Sequence, residues 1–363
     1  MAVLGAGQMG RAIAHDLLRS QTGRVILLDS DPLRLESAGA LLRGMGELTS
    51  VACDLRDTEA VHDATRDAAL LVGSASYRLN ATLAALAVSS GQHWVDLGGN
   101  TEVVEAILQL DQAARARGVC LAPDSGLQPG LGNLALGELF RELGGADTLR
   151  VLVGGIPKHP SGPLRYQLVF SAEGLLNEYL GPVRILREGR LTIVDPLSEV
   201  ESLSWPGMPP LEAFHTSGSA STLPRSFAGV VDRLEVKTIR YAGHVDVLRP
   251  LLAATPADAQ AALLDELLPH QGVDLILMRG EASREGRRMT FQLQDEADPV
   301  TGFSAMMRTT GFTAAIVAQV ILEGGARPGA LIQERDLPAR EIVDRLGARG
   351  IRAGFSSPER AQR

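Results

Sequence analysis

Short apolar runs and amphipathic stretches alternate through the first third of the chain. Ala2-Val3-Leu4 predicts a short strand, and apolar positions at Met9, Ile13, Leu17 and Leu18 predict a helix behind it. "RVILLD" is a compact apolar run ending in Asp29, the pattern of a strand buried on both faces. "LRLESAGALL" predicts a helix, "LTSVACDL" a third strand ending near Asp54, "AVHDATRDA" a helix and "ALLVGSA" a fourth strand. "NATLAALAVSSG", "HWVDLGG", "EAILQLDQAARARG" and "VCLAPDSG" continue as helix, strand, helix and strand. Repeated βα units of this length imply a parallel sheet with right-handed crossovers.

Around Pro123 the pattern changes. "APDSGLQPGLGNLALGELF" is a loop rich in proline and glycine that leads into a helix. "LRVLVGGIP" and the alternating "PLRYQLVFS" predict strands, "GRLTIVDPL" a hairpin-like piece, and "LEAFHTSGSASTLP" a polar loop. "VDRLEVKTIRYAGHVDVL" reads as a strand and then a helix, and "VDLILMRGEASREGRRMTFQLQDE" as two strands joined by a glycine-containing turn. "MMRTTGFTAAIVAQVILEGG" predicts a long helix, and "SSPERAQR" a frayed tail. The expected fold is α/β: a doubly wound parallel sheet plus a second α/β domain with a mixed, largely antiparallel sheet. The expected boundaries are 1–125, 126–305 for substrate and dimerisation, and 306–363 as a helical segment returning to the first domain.

Composition narrows the class. The 363 residues are 45% hydrophobic, 21% charged and only 4% aromatic, so aliphatic side chains must build a globular core. A net charge of −8 argues against nucleic acid as a partner. No apolar run approaches the roughly 20 residues of a membrane span. The chain enters a glycine loop directly, so no signal peptide is expected. Two cysteines, Cys53 and Cys120, form neither a disulfide framework nor a metal-binding pair, which suits a reducing cytoplasm. No metal is expected.

Gly5-Ala6-Gly7-Gln8-Met9-Gly10 fits G-x-G-x-x-G between a strand and a helix, the Rossmann dinucleotide fingerprint. Gly5 permits the turn, Gly7 lets the backbone approach a pyrophosphate, and Gly10 lets helix and strand pack closely. Asp29, 19 residues past Gly10, is placed to bond the adenosine ribose and to repel a 2′-phosphate. NAD is therefore favoured over NADP, with Arg34 as the reason for keeping NADP open. Gln8, Met9 and Ser74 complete the cofactor set, and Asp54 is a candidate for the adenine pocket or a plain turn residue. Met1 to Leu4 leave a very short first strand, so an upstream start stays open.

Asp96 and Asp124 fall at the carboxyl ends of parallel strands, and Tyr77 just past the fourth strand, where open α/β sheets bind ligands. Such acids also cap helices. Lys237, Arg240, Tyr241 and His244 cluster within eight residues. Lys237 and Arg240 must point to opposite faces of a strand. Arg240 suits a substrate carboxylate by its two-pronged donors, or a surface salt bridge. His244 is an acid/base candidate or a structural histidine. His215, Thr216 and Ser217 are substrate donors or turn chemistry.

The segments "VLGAGQMG", "ASYRLN", "HWVDLGG", "APDSGLQPGLGN", "GGIPKHPSGPLRYQLVFSAEGLLNEY", "FHTSG", "KTIRYAGH" and "TGFSAMMRTTGF" together resemble the saccharopine dehydrogenase (saccharopine reductase-like) family, most of all its lysine 6-dehydrogenase branch. The resemblance implies a Rossmann domain, an α/β substrate domain, and NAD(P)-linked oxidation of the ε-carbon–nitrogen bond of lysine or a derivative. That chemistry needs a base near the amine, a carboxylate anchor and a dry pocket. Asp96 is the first candidate base, with Tyr77 or His244 assisting. Arg240 is the expected anchor, with Thr216, Asp124 and Lys237 in the substrate set. A saccharopine dehydrogenase would need a second carboxylate clamp, from Lys237 or Arg165. A polyamine-type reductase, or a non-catalytic NAD-binding sensor, are the remaining alternatives. The expected partners are a small amino-acid substrate and a second copy in a homodimer, without membrane or nucleic acid.

Overall fold

The computed structural model describes residues 1–20, 23–169, 171–270 and 272–360. The chain forms two compact units: Met1–Leu134 with Met307–Ala348, and Ala135–Met306 with Arg349–Arg363.

The first unit is built on a seven-stranded sheet. Six strands come in sequence: β1 (Ala2–Leu4), β2 (Val25–Asp29), β3 (Leu48–Ala52), β4 (Leu70–Gly73), β5 (His93–Asp96) and β6 (Cys120–Ala122). Their spatial order is β6-β5-β4-β1-β2-β3, with Gly329–Ala330 added beside β6, and every pairing is parallel. This is the doubly wound order, which reverses between β1 and β4 and opens a crevice there. Although only three residues long, β1 is the centre of the sheet, with Val3 opposite Leu27 on one side and Val72 on the other. Ala2, Val3 and Leu4 are fully buried, so a short strand suffices where neighbours cover both edges and both faces.

The crossovers are α1 (Gln8–Arg19), α2 (Pro32–Leu41), α3 (Thr58–Thr65), α4 (Asn80–Ser89), α5 (Thr101–Leu108) and α6 (Asp111–Arg117). The single helix expected from "EAILQLDQAARARG" is thus two. Asp111 opens the second, accepting from the Ala330 amide at 2.9 Å and pairing with Arg115, so it ties α6 to the last strand. The helix expected from Met306 onward begins as a π-helical turn, Met307–Gly311, before an α-helix at Phe312–Leu322. A Cβ on Gly311 would lie 2.9 Å from the Ala12 Cβ, so glycine lets this turn lie directly on α1.

A further helix, α7 (Leu131–Leu143), leads to the second unit. That unit holds β7 (Thr148–Pro157), β8 (Val183–Arg187), β9 (Arg190–Val194), β10 (Glu201–Leu203), β11 (Leu211–His215), β12 (Arg233–Tyr241), β13 (Asp274–Arg284) and β14 (Arg287–Glu296). The sheet runs β10-β11-β12-β7-β13-β14, with β8 and β9 attached through β12. Among the described residues of this sheet, only β12 and β7 pair in parallel.

Three expectations need correction here. "LEAFH" is the buried strand β11, not a loop, because Glu212 accepts the Gly243 and Val245 amides at 2.8 Å and so caps the helix His244–Ala254. The described part of "PLRYQLVFS" is not a strand; Leu164, Tyr166, Leu168 and Val169 pack into an apolar cluster with Leu175, Tyr179 and Leu248 (Phe170 lies outside the described residues). The segment from 306 does not return whole to the first unit. Arg352–Phe355 and Glu359–Arg360 pair antiparallel with β14, so within the supposed tail Glu359–Arg360 is edge strand, and residues 361–363 lie outside the described residues.

Candidate functional site

The loop Gly5–Gly10 joins β1 to α1 at the carboxyl edge of the parallel sheet. Gly5 has φ +114°, and a Cβ there would press within 3.1 Å of the Ala75 amide. A Cβ on Gly10 would sit 1.8 Å from the Gly5 carbonyl oxygen, so loop and helix touch without room for a side chain. Gly7 differs: a Cβ there would meet nothing within 4 Å. It begins α1 without a side-chain cap, and no acidic residue stands in the first turn. Open space, free first-turn amides and no repelling charge are what a pyrophosphate requires, so the loop fits a dinucleotide. Gln8 is exposed and Met9 half-buried at this helix start. Ser74 donates its hydroxyl to the Leu4 and Gly5 carbonyls, both at 3.1 Å, and so braces the loop from below.

Asp29 ends β2 and is buried. Its Oδ2 accepts the Ala6 amide at 2.7 Å and its Oδ1 the Asp31 amide at 2.9 Å. The carboxylate therefore clamps the glycine loop, and each oxygen keeps a second lone pair for a ribose hydroxyl. Arg34 stands nearby in sequence, exposed and 3.4 Å from Asp31. Asp54 is an exposed turn acid held by Arg56 at 2.7 Å, whose hydrogen bonds pull its pKa down to about 2. Nothing in those contacts makes an adenine pocket.

Asp96 ends β5 with no exposed surface. Its Oδ2 accepts from the Trp94 indole at 2.7 Å; its Oδ1 accepts the Gly98 amide at 2.8 Å and the Asp124 amide at 3.4 Å. Burial nevertheless pushes its pKa up to about 6. A group so enclosed orders the β5 and β6 loops through the three donors it accepts from. Asp124 is equally buried, in the left-handed region at φ 60°, with its carboxylate against Gly98. Tyr77 sits in the turn after β4, and of the three catalytic candidates it alone is half-exposed.

In the second unit, Arg240 is buried over the Tyr166 ring, 4.3 Å from its centroid. Its Nη1 donates to the Ile239 carbonyl at 2.9 Å and its Nη2 to Glu178 at 3.4 Å. Tyr179 also bonds Arg240, and its hydroxyl lies 3.2 Å from His244 Nε2. His244 Nδ1 faces the Leu164 carbonyl at 2.8 Å. A carbonyl only accepts, so Nδ1 carries the proton and Nε2 accepts from Tyr179. Burial, with Arg240 beside it, drives the His244 pKa down to about 3. His244 is thus neutral, bonded through both ring nitrogens, and supports Tyr179. Glu178, Tyr179 and Tyr166 were not singled out by sequence. The only signal was their presence in the long family-like segment.

On β11 and β12 a separate ion network forms. Lys237 donates to the Glu199 carbonyl at 2.8 Å and lies 3.2 Å from the Glu201 carboxylate. Arg150 reaches Glu235 at 2.7 Å and also pairs with Glu201, while Arg187 pairs with Glu199. Glu199, His215 and Glu235 offer ligand atoms within 4.8 Å of one another. The cations already present neutralise these acids, and burial opposes but does not prevent ionisation of Glu235, which the surrounding cations hold low. The group reads as a structural charge network. Thr216 shares a 2.7 Å hydroxyl contact with Thr238. Lys237 and Thr216 are therefore engaged within the fold by these contacts. Arg165 lies over the Tyr241 ring at 5.3 Å, on the strand face opposite Arg240.

Comparison with known proteins assigns both halves. Residues 1–121 match the model of the saccharopine dehydrogenase NADP binding domain, and residues 126–351 that of the saccharopine dehydrogenase C-terminal domain. A saccharopine dehydrogenase [NADP(+), L-glutamate-forming] of Pyricularia oryzae is 24% identical over 262 residues, covering 69% of this chain and 57% of that protein. The Schizosaccharomyces pombe protein of the same description is 23% identical over 167 residues, 44% of this chain and 36% of the relative. The chain thus aligns with less than two thirds of the length of either relative, 57% of one and 36% of the other. The solved apo saccharopine dehydrogenase (L-Glu forming) of Saccharomyces cerevisiae superposes with a TM-score of 0.76 at 18% identity, over 98% of both chains, and so shares the fold. With a dinucleotide loop of the required geometry and both domain models matched in order, the chain belongs to the saccharopine dehydrogenase family.

Proposed function

We propose that the chain is a nicotinamide-dependent dehydrogenase that oxidises the ε-carbon–nitrogen bond of a lysine-derived α-amino acid. The observation that carries this reading is the intact glycine loop, open at Gly7 and closed at Gly10, on a chain matched through both family domains. The dinucleotide would be held by the loop and the α1 amides, and it supplies the hydride acceptor. A free lysine ε-ammonium, with a usual pKa of about 10.4, must first lose a proton. Hydride then leaves the ε-carbon, water adds to the resulting iminium carbon, and the amine departs, leaving the aldehyde. The departing amine is ammonia from lysine and glutamate from saccharopine, so both substrates share the broken bond.

The names of the relatives favour saccharopine and NADP. The lysine reading rests on the clamp count: among the contacts of the described residues, Arg240 has no second cation beside it, because Lys237 is held by Glu199 and Glu201. The NAD reading rests on Asp29, whose negative charge stands where a 2′-phosphate would approach. Of the candidate catalytic residues, Tyr77 keeps the access that a proton-transfer group needs. Mixing the protein with NAD or NADP and with lysine or saccharopine, one pair at a time, tests the proposal. Reduced cofactor should appear with at least one pair. No turnover in any of the four would refute it.

A further inference from the structure

The Arg240 guanidinium carries five donors. Three sides are accounted for: Ile239 at Nη1, Glu178 at Nη2, and the Tyr179 hydroxyl. Nε is buried and has no partner. The Nε–Nη2 edge is the one that meets a carboxylate with two parallel hydrogen bonds. Here it holds one unused N–H and one long 3.4 Å contact to Glu178. An unpaired N–H of a buried charged group is costly, so a group that could bond it would gain from doing so.

Glu178 supplies the second half. It lies near the end of α8 (Ala172–Tyr179), and about 30% of its side chain is exposed while Arg240 is 3% exposed. Its carboxylate is therefore the outer member of the pair. A ligand carboxylate approaching Arg240 alone would meet Glu178 as a like charge. A ligand with an ammonium one carbon from its carboxylate would satisfy both, placing the cation at Glu178 and the anion on the guanidinium edge whose Nε is unpaired. The Tyr166 ring beneath Arg240 and the Arg240–Tyr179–His244–Leu164 chain of hydrogen bonds hold that edge in place.

We propose that Glu178 and Arg240 form a clamp for the zwitterionic head of an α-amino acid, with Glu178 taking the α-ammonium and Arg240 the α-carboxylate. The assignment rests on the dehydrogenase reading for its substrate class, and it adds the residue that rejects other acids. Keto acids and dicarboxylates would be repelled by Glu178, and diamines would leave Arg240 unpaired. Lysine and saccharopine carry the same head, so the clamp does not choose between them.

Calorimetric titration of the full chain with L-norleucine, hexanoate and n-pentylamine tests the clamp without turnover, because none carries an ε-nitrogen. Norleucine should bind at least tenfold more tightly than either of the others. Glu178→Gln should collapse the norleucine preference over hexanoate to within about twofold, with dinucleotide affinity kept. Arg240→Lys, which loses the two-pronged edge, should weaken norleucine and hexanoate together. Equal binding of hexanoate and norleucine by the unaltered chain, no binding of norleucine, or an unchanged preference in Glu178→Gln would overturn the assignment. If Glu178→Gln does not fold, the three ligands on the unaltered chain decide. Absent turnover with norleucine binding retained would refute the proposed reaction and leave the clamp standing.

Discussion

Replacing Asp96 by asparagine separates the cost of a buried charge from the value of the hydrogen bonds it accepts. Burial raises the Asp96 pKa from 3.8 to about 6, against three donors that favour the ionised form. A shift of that size corresponds to about 3 kcal/mol, at about 1.4 kcal/mol per unit. Because the folded value is the higher one, the favourable contribution is complete below the unfolded pKa near 3.8 and is lost as pH rises through about 6. Above that pH, the native state carries the full cost of an ionised, enclosed carboxylate. Asparagine does not titrate. Its amide group must face either the Trp94 indole or the Gly98 and Asp124 amides, donor against donor, at a pH-independent cost of about 1–3 kcal/mol.

The difference in stability between the two proteins should therefore depend on pH. Asp96→Asn should be clearly less stable at pH 4 and recover most of the deficit by pH 7.5, a relative change of about 2 kcal/mol. Urea unfolding at several pH values, in a Trp205→Phe background so that Trp94 reports on its own partner, measures it directly. A stability difference that stays constant from pH 4 to 7.5 would refute the reasoning.

Other consequences follow from the same contacts. Gly7→Ala should leave the melting temperature unchanged, since its Cβ meets nothing, yet weaken dinucleotide binding at least tenfold in a fluorescence titration by filling the pyrophosphate space. Gly10→Ala should weaken binding and also lower the melting temperature, because its Cβ falls 1.8 Å from the Gly5 oxygen. His244→Asn should lower stability without removing a limb of the activity profile near pH 6.5, because His244 stays neutral down to about pH 3. Loss of such a limb would restore an acid/base part to it. Lys237→Met should destabilise the second unit by about 3 kcal/mol through the acids it leaves behind, with KM for the substrate unchanged. A KM raised tenfold would return Lys237 to the binding set.

The parallel sheet was legible because its strands carry their burial in their own composition. "VILLD" is apolar on both faces, and all five residues are buried. Strand β11 was not legible because its burial depends on distant groups. Glu212 reads as a solvent-facing acid until the helix amides at Gly243 and Val245 are placed against it, 31 and 33 residues on. "PLRYQLVFS" has a strand's alternation, but its apolar residues are drawn onto neighbouring helices and no ladder forms. The glycine loop could be read as a pattern because its glycines stand within six residues, but the contacts with Ser74 and Ala75 that close it come from about 70 residues on. The Arg240 cluster could be read only in half. Arg240 was chosen for its chemistry, but Glu178 lies 62 residues before it and no local pattern links them. Asp96 and His244 were found by position and type, and their enclosure, which decides what they can do, is a property of packing alone.

The central claim is oxidation of a lysine-derived carbon–nitrogen bond, and turnover with the matched substrate tests it most directly. Saccharopine and lysine are each incubated with NADP and with NAD, and reduced-nicotinamide absorbance is followed together with release of glutamate or ammonia. The account predicts reduced cofactor in step with one equivalent of the departing amine for at least one substrate. Cofactor binding without reduction by either substrate would contradict it and leave a dinucleotide-binding protein of another kind.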